Sequence, residues 1–458
     1  MATDISFCVV SFLLSSFFFL HSYSQESQPL PSSEREALEI IIGGGTSDYA
    51  PAPSPSEYDN PPADCPPPPP PPCPPPPPPP TPTTRLDRAR IVLLKFATTV
   101  DDPKGFTRNW KGPNPCTYNG VKCDNYPNSN ERAVSGLDFN PAAFSGRNGS
   151  SLSLSGILGI PELTFFHANS NNFTGLIPSQ ITKYDYFFEL DLSNNKLQAD
   201  FPMEILSAKK LVFLDLRFNR FTGPLPSQLF EMDLDIIFVN NNLFCQSLPS
   251  NFGSTPARFL TFANNKFTGP IPCSIGQASK TLTEVLFLGN QFSGCLPYEI
   301  GFLQKATVFD VSDNSLTGPI PQSFACLGNI RFLNLANNKF YGSVPESVCD
   351  LPGIRSDGNL SLSGNYFTEV GPKCKKLIKS RVLDVSKNCI PWLPNQRSKE
   401  ECGAFLSCVK PCANAKSLNY VPCQRKWSSM AEKTVSPPPT PVTYESLNPN
   451  PRPHRLLL

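Results

Sequence analysis

The segment FFELDLSNNKLQADFPMEILSAKKLVFLDLRFNRFTGPLP, residues 187–226, decides the fold. It is one unit written twice: a short alternating run, an asparagine, and a stretch ending in proline. In the first copy Leu190 and Leu192 alternate with Glu189, Asp191 and Ser193, the period of a strand with one face buried. Asn195 follows, and its side-chain amide can satisfy backbone groups that a turn leaves unpaired. A single unit has one apolar edge and nothing to bury it against, so it folds only when stacked on further copies.

Those copies extend over residues 134–390. The recurrent asparagines are Asn171, Asn195, Asn219, Asn242, Asn265, Asn290, Asn314, Asn338, Asn365 and Asn388, in steps of 24, 24, 23, 23, 25, 24, 24, 27 and 23 residues. A degenerate unit, VSGLDFNPAAF, precedes them with Ala142 at the Asn position. TGLIP, TGPLP and TGPIP after the asparagines predict a tight bend and a Pro-ended segment in place of a regular helix. The expectation is an α/β repeat solenoid, a horseshoe whose stacked strands form a parallel sheet about 50 Å long on the concave face.

Flanking sequence supplies the ends. RLDRARIVLLKFATTV repeats Leu86, Ala89, Val92, Leu93 and Phe96 at helical spacing behind Asp87, read as the N-cap. NWKGPNPCTYNGVKCD follows, with Cys116 and Cys123 close enough for a local disulfide. Residues 85–133 thus form a helical, disulfide-bonded N-terminal cap, and residues 391–425, with Cys408, Cys412 and Cys423, a Cys-rich C-terminal cap. Residues 1–24 read as a signal peptide cleaved after Ser24. Residues 25–84, with proline runs 66–72 and 74–80, and the tail 426–458 are expected to be disordered.

Composition narrows the function. With 39 Lys and Arg against 38 Asp and Glu, no global field recruits nucleic acid. After the signal fifteen cysteines remain, which points to disulfides and secretion, and their wide spacing argues against metal. Cys326 with Cys349 can bridge a stacked pair and Cys374 with Cys389 can close the last turn, although spacing does not fix connectivity. Because fifteen is odd, one cysteine is left free or pairs between chains, and Cys65 and Cys73 are the expected sites of a disulfide-linked dimer. The folded part holds one histidine, His167, and no nucleophile motif, so no catalytic residue, cofactor or metal is assigned. Asp138, Asp191, Asp215, Asp310 and Asp384 share one strand position, a column read as a habit of the repeat.

The cap with Asn109, Trp110 and CTYNGVKC, the FFELDLSNN, FLDLRFN and LDIIFVNNN units, GCLP, VFDVSDN and RSKEEC resemble the plant-type leucine-rich-repeat proteins. More closely, they resemble the leucine-rich-repeat extensins of plant cell walls. The likeness covers about residues 85–423 and implies a wall or apoplastic protein whose repeats dock secreted signalling peptides, notably of the rapid alkalinization factor class. Extensins of this kind carry a long C-terminal array of Ser followed by prolines. Here SPPPTP at Ser436 is its only trace, and the polyproline lies before the repeats.

Phe165, His167, Phe213, Asp215, Arg217, Phe238, Leu286 and Phe332 fall at outward strand positions and are read as an exposed ligand-binding surface, with Leu288 beside them. Asn148, Asn172 and Asn359 head glycosylation triplets. The expectation is therefore a secreted cell-wall scaffold, not an enzyme, that docks secreted peptides or proteins. A structural wall glycoprotein with polysaccharide contacts and an inhibitor of a wall-degrading enzyme are the alternatives.

Overall fold

The computed structural model describes residues 84–424, apart from Pro141 and Asn414. Residues 1–24, read above as a signal, the proline runs, Cys65, Cys73 and the C-terminal tail lie outside the described residues. What the described chain forms is one continuous solenoid. Three-residue strands such as Glu189–Asp191, Phe213–Asp215 and Ile236–Phe238 stack in parallel, Leu190 beside Leu214 beside Ile237. Eleven coils contribute one strand each, and Val121–Asn125 of the N-terminal cap adds an antiparallel edge, making a twelve-stranded sheet.

The asparagines hold the turns. Asn195 Oδ1 accepts from Phe173 N at 3.0 Å, in the preceding coil. Its Nδ2 donates across to Ala168 O at 2.8 Å and within its own turn to Leu192 O and Ser193 O. The same set recurs at every rung down to Asn388, whose Oδ1 accepts from Phe367 N and whose Nδ2 reaches Leu362 O. Each side chain therefore serves the coil before its own as well as its own turn. That explains Ala142: Asn171 already satisfies Phe144 N and Phe139 O of the first coil, which has no repeat before it to serve.

The opposite end needs a substitute, which the repeat pattern does not show. Gln396 supplies it. Its Oε1 accepts from Ile390 N and its Nε2 donates to Val385 O, the groups that an eleventh asparagine would have taken. Arg397 beside it donates to Asn365 O and Gly364 O and lies 4.3 Å over the Tyr366 ring.

Two further features depart from the sequence reading. The bends after the asparagines build a second set of parallel strands, Leu152–Ser153 to Arg220–Thr222 and Cys245–Gln246 to Tyr366–Val370. Behind it Phe221, Phe244, Phe267 and Phe292 stack face to face at 6.0–6.3 Å. The Pro-ended segments become short 3₁₀ turns such as Ser227–Glu231, but in the last coils they widen into α-helices, Pro352–Asp357 and Pro372–Lys379. A regular helix does therefore occur there, where a proline at the first helical position starts each one.

The N-terminal cap helix spans Arg85–Thr99 and its N-cap is Thr84, not Asp87; the Thr84 hydroxyl accepts from Asp87 N. Asp87 sits in the first turn, where its charge favours the exposed amides. Phe96 from this helix stacks on Phe139 and Phe173 of the first coils, and Arg85 and Arg88 clamp the buried Glu162 at 2.8 and 3.1 Å. The Cys116–Cys123 disulfide forms as expected.

The other pairings differ from those suggested by spacing. Cys349 bonds Cys374, not Cys326, and Cys389 bonds Cys402, not Cys374. Cys326 and Cys295 instead reach Cys423 and Cys412. A disulfide does bridge a stacked pair of coils, but one coil later than the spacing suggested, at Cys349–Cys374, while Cys295, Cys326 and Cys389 take their partners from the cap. After the helix Lys399–Ser407, with Phe405 stacked on Tyr366 at 3.6 Å, this cap runs back along the second sheet.

An asparagine rung removed from the middle leaves one interior amide without an acceptor, Phe244 N in the case of Asn265, at about 1–3 kcal/mol before relaxation, and takes one of two donors from Val239 O, Phe262 O and Ala263 O. Asn265→Ala is expected to destabilise by roughly 2–4 kcal/mol in urea unfolding, and Gln396→Ala by a measurable part of that. A Gln396→Ala variant as stable as the parent would show that the last coil needs no rung.

Candidate ligand-binding face

The outward positions of the concave strands form two rows. One contains Phe165, Glu189, Phe213, Ile236, Phe259, Glu284, Val308, Phe332 and Asn359; the other runs from His167 through Asp191, Asp215, Phe238, Thr261, Leu286 and Asp310. All the strand residues read from the sequence as ligand-binding occupy these rows, with Arg217 two positions beyond Asp215.

Their exposure was misjudged. Phe165, His167 and Phe332 are partly exposed, but Phe213 is 7 %, Phe238 9 %, Leu286 6 % and Leu288 7 % exposed, and Asp215 is fully buried. Strands about 4.8 Å apart bring outward side chains of adjacent coils into contact: the Phe213 and Phe238 rings lie 6.3 Å apart, and Arg217 covers Phe238 at 5.0 Å. Asp215 Oδ1 accepts from Arg217 N, and Arg217 Nε lies 2.8 Å from Oδ2. Burial pushes the Asp215 carboxyl up against the opposing pull of Arg217. Asp215 is thus a structural acid, and replacing it would disturb the fold as well as any ligand.

The aspartate column has a local cause. Asp138, Asp191, Asp215, Asp310 and Asp384 each accept from the backbone N–H two residues on, closing the strand end. Asp310 also holds the Ser312 hydroxyl and Asn334 Nδ2; burial raises its pKa to about 6. His167 bonds Glu189 at 3.0 Å, and although burial would lower its pKa, that carboxylate outweighs it and raises the value.

Glu284 stands apart. It is 1 % exposed and neither carboxylate oxygen has a hydrogen-bond partner. Phe259 and Val308 flank it in its row, and Leu286 lies two residues on. Burial alone raises its pKa to about 7. Buried polar atoms are nearly always satisfied, so an orphaned carboxyl on the outward side of the sheet makes Glu284 a candidate site residue. Sequence reading passed over it because LTEVLFLGN is rich in apolar residues; the signal was a lone acid between Phe259 and Val308 at the same register.

Of the glycosylation positions, Asn148 is exposed in a turn, Asn172 is partly buried beside the ladder, and Asn359 is exposed at a concave strand start beside Phe332.

Comparison with known proteins matches this architecture. Residues 87–124 fit the leucine rich repeat N-terminal domain, and residues 210–232, 305–327 and 329–351 fit the Leucine Rich Repeat. Leucine-rich repeat extensin-like protein 7 of Arabidopsis thaliana is 37 % identical over 78 % of this chain and 78 % of its own length. The chain belongs to the leucine-rich repeat extensin-like family. Extensin-like protein 6 is 42 % identical over 69 % of the chain, and extensin-like protein 2 is 38 % identical over 50 %. The chain spans only 29 % of protein 2 and 66 % of protein 6. Among solved structures, the ectodomain of the plant receptor kinase GASSHO1/SCHENGEN3 is 23 % identical at a TM-score of 0.50, covering 66 % of the chain and 44 % of its own. A plant ice-binding protein is 21 % identical at 0.55, covering 69 % of the chain and 100 % of its own. These two likenesses show the plant leucine-rich-repeat fold. Extensin-like relatives together with five disulfides point to an extracellular extensin-like protein.

The unpartnered acid makes stability fall with pH. Glu284 holds its proton in the folded chain up to about pH 7, whereas its ordinary value is 4.5, so the folded state binds more protons between these values. Stability is therefore full below pH 4.5 and declines as pH rises towards 7, by on the order of 3 kcal/mol from this group. Glu284→Gln is expected to leave stability at pH 5 nearly unchanged and to raise it at pH 8, as read by urea unfolding. An equal effect at both pH values would contradict this.

Proposed function

We propose that this chain is a secreted, cell-wall-associated scaffold whose concave face docks a basic, partly apolar secreted peptide. The observation that carries the reading is Glu284, an acid without a partner set among apolar side chains on the outward face of the sheet. A cationic side chain placed on it would convert a costly buried acid into a paired carboxylate, and the partly exposed rings of Phe165 and Phe332 offer apolar contact further along the same row. The acids Asp191, Glu189 and Asp310 give the face a negative field that favours such a ligand. Peptides of the rapid alkalinization factor class, which the family resemblance implies, are the first candidates. The GASSHO1/SCHENGEN3 ectodomain, which shares the fold, was solved in complex with CASPARIAN STRIP INTEGRITY FACTOR 2. Glycans on Asn148 and Asn172 are compatible with such docking, whereas one on Asn359 would crowd the face beside Phe332.

Pairing with a cation requires the ionised acid. Affinity for a synthetic rapid alkalinization factor peptide is expected to rise between pH 5.5 and 7.5, and Glu284→Gln is expected to weaken it at least tenfold at pH 7.5 and to flatten the pH dependence. Calorimetric titration checks both. Unchanged affinity in the Gln variant would remove the peptide reading from this part of the face.

A further inference from the structure

The charge of the chain is balanced only in sum. Residues 371–399 carry eight Lys or Arg and one acid, Asp384, so the rest of the chain nets −6 against a total of +1. This stretch is the last coil of the solenoid with the start of the C-terminal cap. Its helix Pro372–Lys379 buries Cys374 and Leu377 against the core, with Cys374 tied to Cys349, and that leaves Lys375, Lys376 and Lys379 on the outside. Arg381 and Lys387, both exposed and both at positive φ, follow in the same coil. Lys373 is paired with Asp350 and Arg397 is taken up by backbone carbonyls, whereas Lys375, Lys376, Lys379, Arg381 and Lys387 have no carboxylate partner among the described residues.

Trp392 lies at the start of the C-terminal cap, in a loop tied to this coil by the hydrogen bond from Lys387 N to Asn395 O. It is fully exposed and adopts φ +72°, a conformation that non-glycine residues rarely take. The neighbouring Leu393 packs on the core, so the chain spends its apolar contact there and displays the indole outward. The C-terminal cap does not cover this coil's lysines: it turns back along the second sheet, where Phe405 stacks on Tyr366 and Cys412 reaches Cys295.

Five unpaired cations in the last coil, followed in the chain by a displayed indole, match one chemistry, a polymer that repeats carboxylates on flat sugar rings. We infer that the last coil of the solenoid binds an acidic, uronate-type polysaccharide. Lys375, Lys376, Lys379, Arg381 and Lys387 pair with its carboxylates, and Trp392 stacks on the apolar face of a pyranose ring. Single exposed ion pairs are weak and salt-screened, and a polymer makes them effective by presenting many at once. This surface is separate from the concave face, which is acidic, so the two bindings do not stand or fall together.

The test uses the full chain and polygalacturonate as probe, with a neutral glucan and polyglutamate as controls, followed by affinity electrophoresis. Polygalacturonate is expected to bind and the glucan not to bind. Raising salt from 50 to 300 mM is expected to weaken binding at least fivefold. The charge-reversed variant K375E/K376E/K379E/R381E, which touches only exposed side chains, is expected to lose tenfold or more, and Trp392→Ala severalfold with the salt response kept. An unchanged melting temperature verifies that both variants fold. Undiminished retention of polygalacturonate by the charge-reversed variant overturns the assignment. Polyglutamate binding as tightly as polygalacturonate, with no effect of Trp392→Ala, overturns the sugar and leaves an acidic peptide as the partner.

Discussion

An asparagine in one coil completes the hydrogen bonds of the coil before it, and the whole solenoid depends on this offset. The amide reaches back to the preceding turn while it closes its own, as Asn195 does to Ala168 and Leu192. The turn that follows each strand can then be buried, which in turn lets the phenylalanines behind it stack in a continuous file from Phe221 to Phe292. Because the service runs backwards, the two ends are unlike. The first coil tolerates Ala142, and the last must borrow Gln396 from outside the repeat.

A backbone fixed in this way frees the outward strand positions from structural duty, yet they are not equally free. Where an aspartate accepts from the N–H two residues on, its carboxylate belongs to the turn, as at Asp215 and Asp310. Glu284 sits in the other row, two residues before the aspartate position and too far from that N–H, and neither of its carboxylate oxygens finds a donor. The face therefore contains structural acids and one acid that contributes nothing to the fold in its ionised form. The end coil shows the opposite sign, with lysines and an indole displayed where no further coil of the repeat array follows.

The sequence showed the fold plainly because the repeat period constrains many residues at once: the ten rungs, the alternating leucines and the Cys116–Cys123 cap bond can be read from spacing. What it hid depends on single contacts across long separations. Gln396 replaces an asparagine from outside the period, and Cys295 and Cys326 pair with a cap that doubles back by 117 and 97 residues. Exposure was hidden too. Alternation reports that Phe213 and Phe238 point away from the core, but not that coils stacked a strand's width apart cover one another there. Glu284 was overlooked for the same reason, since its meaning lies in the apolar side chains of the coils on either side.

The account stands most directly on the ionisation of one side chain. Carboxyl-carbon NMR of Glu284, titrated in the free chain and with a cationic peptide bound, measures it. The account predicts a midpoint near 7 in the free chain and a drop towards the ordinary carboxylate range on binding. A midpoint already at the ordinary value of 4.5, or one near 7 that the bound peptide does not move, would contradict it.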